Sequence, residues 1–485
     1  MADFQEKNPS MTEGMKADRS LLQFIFPFML EDRKTKEFVD RLLKDDFTFF
    51  MLKDMDQQDK FYGGLKVNHR MLEKYFLPNV EQILFPGDME EREGLRRFTR
   101  NVELKSTFRS PHLHTEFTIH SLDIFLCPFH IGIMNIRVSL PKDLDYTDVL
   151  YFADTFRVME PIVEDEEKTR IDSGKASYKK VKDFIFNELT PVLKEFIDQN
   201  KADSSYFGSL PFFIDERMYV ISYISLPEDC KVTKADLYRA GQLNGYDRGG
   251  QPFVGAKNPD YIDRYYRKNI YDRWADDTYY VAGEYCFACV TNVKGELDEL
   301  LASQMYGQHY YALLLFFYYK IVLLKLTHEH SKIDIEKDQE QTELLIVMIT
   351  EFSAKYQFPE INSTTSGKEI FHIVKNVFDL ERLYEDVKKT LSSLYQNQDQ
   401  MAANRNNYLL QILTIYTVVS GIYGMNLVIE DWKGKVRWAK VADYSFFEYI
   451  TLFVALTGIA ISSILGVIFL KKWIKEQRSR KNKIF

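Results

Sequence analysis

NRNNYLLQILTIYTVVSGIYGMN, residues 404–426, is the stretch on which the reading of this chain turns. It contains an apolar run, 408–425, that is not apolar all round. Steps of three and four residues back from Gly424 reach Gly421, Thr417, Thr414, Leu410 and Asn407, which places small and polar side chains on one helical face. The opposite face carries Leu409, Ile412, Tyr416, Val419 and Tyr423. Hydrocarbon offers a polar stripe no water, so such a face must either pack on protein or line an aqueous path. A second apolar run, FFEYITLFVALTGIAISSILGVIFL (446–470), follows after a short polar interval. The first run is near the minimum for a hydrocarbon core of about 30 Å and the second is comfortably long. Two C-terminal membrane spans are therefore expected, with the loop 426–445 between them.

The residues outward from these spans set the orientation. The tail 471–485, KKWIKEQRSRKNKIF, holds seven Lys/Arg and one Glu, which by the positive-inside rule keeps it cytoplasmic. Two spans return the N-terminus to the same side and leave residues 424–426 as a turn at the outer surface. The expected location is a cell membrane, plasma or inner, with the chain embedded in the bilayer. Formal net charge is −8 over 485 residues, so without its +6 tail the body carries −14. An acidic body excludes nucleic acid as the expected partner, because phosphate binding needs the opposite sign.

Upstream of the spans, apolar residues at Ile370, Ile373, Val377, Leu380, Tyr384, Val387, Leu391 and Leu394 alternate steps of three and four. That heptad spacing, with no Gly or Pro from Lys368 to Ser420, predicts one continuous stalk helix over about 368–407 that runs into the membrane. Residues 296–407 are expected to form a helical region, broken by a loop, FPEINSTTSG (358–367), ahead of the stalk. Within them, His309 to Leu326 is apolar but interrupted by Lys320 and Lys325, which fits a buried core helix better than a span. Residues 1–295 mix strand-like runs (TEFTIH, LDIFLC, IGIMNIRVSL, MYVISYISL, YCFACVTNV) with helical ones (DVLYFADTFRVM, KKVKDFIFNELTPVLKEFIDQ) and predict an α+β domain. LLQFIFPFML, near the start, is too short for a span and lacks the flanks of a signal peptide.

With these residues in view, the C-terminal 115 or so resemble the CorA family of divalent metal-ion transporters. The family hallmark, Tyr-Gly-Met-Asn at the outer end of the first of two C-terminal spans, is matched by Tyr423, Gly424, Met425 and Asn426. Asn404, Asn407, Leu413, Thr414 and Ile415 resemble a second family pattern upstream, and KKWI resembles the sequence after span two. The resemblance implies an α+β cytosolic domain, a long helical stalk and two transmembrane helices per subunit, assembled as a homopentameric funnel in the lipid bilayer. It implies a selectivity filter at Gly424, Met425 and Asn426, with metal contacts at Asn426 and the Gly424 backbone. Asn407, Leu410, Leu413, Thr414, Thr417 and Gly421 would then line the pore. The implied cargo is Mg²⁺, with Co²⁺ and Ni²⁺ as further ions and cytosolic Mg²⁺ between subunits as the regulator; no cofactor is implied. Relative to the family, the chain lacks about seven residues between Thr414 and Thr417, close to two helical turns, so the polar face keeps its direction while the gate shortens. The alternatives are a Zn²⁺, Co²⁺ or Ni²⁺ transporter of the same family, or a membrane-tethered sensor or scaffold that conducts nothing.

The remaining motifs have simpler readings. Enzyme activity is not expected, for want of an identifiable nucleophile and base. Cys127, Cys230, Cys286 and Cys289 are too few for a disulfide scaffold, and Cys286 and Cys289 on one strand point to opposite faces. His112, His114, Glu116 and His120 fall on one face of a strand, which reads as a solvated polar face or, alternatively, a metal-ligand set. EDEE (164–167) and DMEERE (88–93) are candidates for regulatory metal by charge, and solvated loops otherwise. YDRGGQPFVG lacks the helix and Lys of a phosphate loop and reads as a turn.

Overall fold

The computed structural model describes residues 11–12, 14–30, 34–54, 57, 60–159, 169–174, 176–197, 217–334, 338–426, 438–454 and scattered positions from 456 to 471. It divides into two compact units, Met1–Leu391 and Ser392–Phe485.

The first unit is built on an eleven-stranded sheet. Its strands are β1 (Arg19–Met29), β2 (Arg96–Arg109), β3 (His114–Cys127), β4 (Ile131–Leu140), β5 (Arg170–Ser173), β6 (Ala176–Tyr178), β7 (Tyr219–Ser225), β8 (Ile270–Tyr271), β9 (Thr278–Ala282) and β10 (Cys286–Thr291). Their spatial order is β8-β9-β10-β7-β1-β4-β3-β2-β5-β6, with Thr48–Phe49 also paired to β2. Every pairing is antiparallel except β7 with β10. The predicted strands TEFTIH and LDIFLC are one strand, β3, and the LLQFIFPFML run is the central strand β1. β1 is covered on both faces, which is why its sequence is apolar without alternation. Pro27 lies past Ile25, the last residue paired to β7, where the strand has a single neighbour and a missing N–H is tolerated.

Helices cover the sheet in two layers. Those named here are α1 (Tyr146–Phe156), α2 (Lys234–Gln242), α3 (Pro259–Asn269), α4 (Glu296–Tyr306), α5 (Gln308–Lys332), α6 (Gln339–Lys355), α7 (Thr365–Val377) and α8 (Leu380–Asn426). Alternate residues of β1, β3 and β4, including Phe24, Phe26, Ile124, Met134 and Ile136, join Phe152 and Phe156 of α1 and Leu237 and Ala240 of α2 in one apolar core. The next residues along, Asp123, Phe125 and Arg137, face the other way and meet α5 at Tyr310. α4 to α7 thus belong to the same unit as the sheet, where the sequence suggested a separate helical region, and α8 runs from this unit into the second.

That second interface buries charge. Asp123 lies 2.9 Å from Arg97 and 2.7 Å from Arg137, and Tyr310 donates to the same carboxylate. Arg97 also donates to the hydroxyls of Tyr62 and Tyr311 and sits 4.1 Å from the Phe50 ring centre. Burial pushes the Asp123 carboxyl up, but Arg137 and Arg97 more than offset it and hold it at about 2. Two guanidiniums share one carboxylate, and aromatic faces take part of the excess positive charge.

Among the described residues, one helical stretch is long and apolar enough to cross a membrane, Glu296–Lys332, but its apolar window is 83% buried. It is a core element, as its lysines suggested. Lys325 donates to the Phe129 carbonyl at the turn between β3 and β4.

Two sequence expectations fail on local geometry. The continuous helix from Lys368 is broken, since α7 ends at Val377 and Asp379 takes φ +56° before α8 begins at Leu380. No Gly or Pro marks the break because Asp is among the few residues whose short polar side chain tolerates the left-handed region. The helix predicted over KKVKDFIFNELTPVLKEFIDQ is instead three short pieces, α at Val181–Phe184, π at Ile185–Leu189 and 3-10 at Pro191–Glu195. Pro191 has no N–H to continue the ladder and its ring crowds the preceding turn.

Candidate functional site

α8 has 47 residues and runs uninterrupted to Asn426, a length of about 70 Å at 1.5 Å per residue. Residues 424–426 are therefore helical, where a turn was expected. The side chains of 422–426 and the loop 427–437 lie outside the described residues. The expected ring of Asn426 side chains falls among them.

The polar stripe upstream is exposed. Asn407, Leu410, Leu413, Thr414, Thr417 and Gly421 all face open space, and no atom comes within 4 Å of a Cβ built on Gly421. On the other face Leu409 and Ile412 are exposed as well, and Tyr416 makes a contact within the second unit. The second apolar run is helical from Phe446, and Tyr416 donates its hydroxyl to the Val454 carbonyl. A Cβ at Gly458 would overlap the Tyr416 ring, so the two helices approach most closely there. At about 100° per residue, Tyr416 stands roughly half a turn from Asn407 and Thr414, on the far side from the stripe.

The threonines on the stripe have a fixed polarity. Thr414 donates to the Leu410 carbonyl and Thr417 to the Leu413 carbonyl, each at 2.7 Å. With its proton committed to the helix, each hydroxyl can only accept from outside. Together with the Asn407 amide, this gives the face neutral acceptor oxygens and no ionised group. Leu410 and Leu413 place two apolar side chains among them.

Elsewhere, the structure separates several residues that the sequence grouped. His112 lies before β3 and packs against the rings of Tyr151 and Tyr246. His114 and Glu116 are exposed, while His120 sits 3.2 Å from the Glu103 carboxylate and 2.8 Å from Ser139 Oγ. Among the described residues no group of three or more His, Cys, Asp or Glu is placed to hold a metal. Cys286 and Cys289 are both buried in β10, and burial pushes both thiols up, Cys286 to about 12. In DMEERE, Asp88 accepts from the Glu90 N–H, Glu91 from the Gly87 N–H, and Glu93 from Lys355. EDEE lies outside the described residues. YDRGGQPFVG is a turn in which Asp247 accepts from the N–H groups of Gly249 and Gln251.

Sequence reasoning missed the buried Arg97–Asp123–Arg137 cluster, because strand periodicity assigns faces without saying that charges meet across them. Comparison with known protein families, with curated proteins and with solved structures finds no match to this chain.

Proposed function

We propose that this chain is one subunit of a homopentameric, CorA-like channel in a cell membrane, which passes hydrated divalent cations and has Mg²⁺ as its cargo. The observation that carries the reading is the stripe of neutral acceptor oxygens along α8, which stays helical through Asn426 and keeps Asn407, Thr414 and Thr417 exposed. Mg²⁺ releases its water reluctantly, so a path for it must accept hydrogen bonds from that water. Back-bonded threonines and an amide do this. Carboxylates would hold the ion too firmly for conduction, which requires sites that can be left. Each helix C-terminus adds about half a negative charge, and five around an axis would gather cations with no acidic side chain.

No ionisable residue lies in 408–426, which favours a channel over a proton-coupled pump. An inside-negative potential contributes roughly 4.6 kcal/mol per 100 mV for a divalent ion, enough for more than thousandfold accumulation. The tether reading leaves the acceptor face without a purpose.

The test is Mg²⁺ entry into proteoliposomes, with native protein compared with Asn426→Ala, alongside the oligomeric state of each. Loss of entry with the pentamer retained is expected. Entry unchanged in the variant would remove the filter, and a monomer in detergent and lipid alike would remove the pore.

A further inference from the structure

We propose that the first unit carries an anion site for phosphate or a small phosphomonoester, at a cavity floored by Arg96 and mouthed by Arg92; the inference is independent of ion transport.

The cavity has a volume of about 350 Å³, at the small end of the ligand-pocket range. It lies where the β3–β4 turn meets the start of β2 and α6. Arg96, the first residue of β2, is only 7% exposed. One guanidinium N–H donates to the Met89 carbonyl, and its buried Nε has no acceptor among the described residues. Arg92 is exposed at the rim. Among the described residues, neither arginine forms an ion pair with a carboxylate. Among the described lining residues the acids are Glu93 and Glu351, and both are engaged elsewhere, 2.8 Å and 3.1 Å from the ammonium of Lys355.

This arrangement is uncommon inside a protein. Arg97 and Arg137 also have an Nε without an acceptor, but Asp123 supplies both with a carboxylate, and Arg96 has none among the described residues. A water could accept from Nε but cannot offset charge. Burial, followed by the nearby positive charge of Arg92, weakens the hold of Arg96 on its proton, and Glu90 acts on it at range without touching it. An oxyanion entering the cavity would supply both the missing acceptor and the missing charge. Phosphate suits a two-arginine grip because each guanidinium presents a planar fork of donors.

The backbone beside the cavity is built at a cost. The three-residue turn between β3 and β4 is Pro128-Phe129-His130, and its last two residues have φ +61° and +56°, the left-handed region that Gly and Asn adopt most readily. Lys325 and the rings of Phe352 and Tyr356 hold Phe129 in place. The turn thereby places His130 in the cavity wall beside the arginines.

The experiment is calorimetric titration of full-length protein in detergent with inorganic phosphate and, separately, with adenosine 5′-monophosphate, at constant ionic strength set with chloride. Saturable binding of at least one is expected. Tighter binding of the nucleotide would assign an organic phosphomonoester, and equal or weaker binding would assign free phosphate. Arg96→Gln should weaken binding by about tenfold or more, the value of a charge-assisted hydrogen bond. Arg92→Gln, at the exposed rim where folding is indifferent, should also weaken it severalfold. Absence of saturable binding in the native protein, or binding unchanged in Arg92→Gln, would overturn the site.

Discussion

Tyr416 of the first C-terminal apolar helix lies directly over Gly458 of the second, its hydroxyl donating to the Val454 carbonyl one turn away. The glycine is required by space. Any side chain there meets the ring, so Gly458→Leu should force the helices apart at a cost of about 1–3 kcal/mol, the usual range for overpacking. Tyr416→Phe keeps the ring and loses only one hydrogen bond, so it should cost far less. Thermal midpoints of the two purified variants in detergent would check the order. A Gly458→Leu protein as stable as Tyr416→Phe would mean that the helices do not meet at this point.

Thr417 is the cleanest probe of the acceptor face. Thr417→Val preserves shape and removes the oxygen, and its loss is repeated in every subunit of a ring. Mg²⁺ flux should fall severalfold while oligomeric state and thermal midpoint hold. Flux equal to native would show that hydrated ions do not touch this face.

The sheet core offers a prediction about charge. Asp123→Ala leaves Arg97 and Arg137 buried with no counter-charge, and breaking a buried ionic cluster from one side costs about 3–5 kcal/mol. The variant should be recovered folded in much lower yield and melt well below native. Native Asp123 also makes the fold acid-sensitive. Its carboxyl titrates at about 2 in the folded chain and near 3.9 when unfolded, so its contribution is complete above pH 4 and is lost as pH falls toward 2. An Asp123→Ala midpoint equal to native would contradict the role given to this carboxylate.

His309 acts over a higher pH range. It is fully buried among Tyr75, Tyr280, Phe287 and Phe371, and neither ring nitrogen has a hydrogen-bond partner among the described residues. Burial alone lowers its pKa from 6.5 to about 3. Below pH 6.5 the unfolded chain takes a proton that the folded chain refuses, so stability should fall by up to about 1.4 kcal/mol per pH unit down to pH 3. Replacement by an apolar residue of similar size, His309→Leu, should flatten this part of the pH–stability curve. A curve of unchanged slope would mean that other groups set the acid response.

Legibility of the sequence varied with the kind of signal. The strands of the sheet centre and α1 were readable, because β-branched and aromatic runs bounded by turns leave few alternatives. α5 was readable as core because its lysines spoiled it as a span. The break at Asp379 was not, since the apolar spacing continues across it and only a single φ angle changes. The π and 3-10 pieces at 185–195 were missed because apolar periodicity survives a helix that changes its winding. Of the candidate site, the stripe from Asn407 to Gly421 was legible as a face. The direction of its hydroxyl protons was not, because it depends on rotamers. Arg92 and Arg96 were invisible as a pair, since they adjoin through a turn and a strand and share no regular spacing.

The position of β1 governs how the chain matures. This strand is among the first to be synthesised, yet it pairs with residues 131–140 and 219–225, and β7 in turn needs 286–291 as its other neighbour. The sheet therefore cannot close until nearly three hundred residues have left the ribosome, and its contacts are long-range and slow to form. The first unit ends at Leu391, ahead of the apolar run at 408. A globular body can thus be complete before the hydrophobic segments are translated. Truncation after residue 391 should consequently yield a free-standing folded unit, whereas truncation before 286 should yield aggregate.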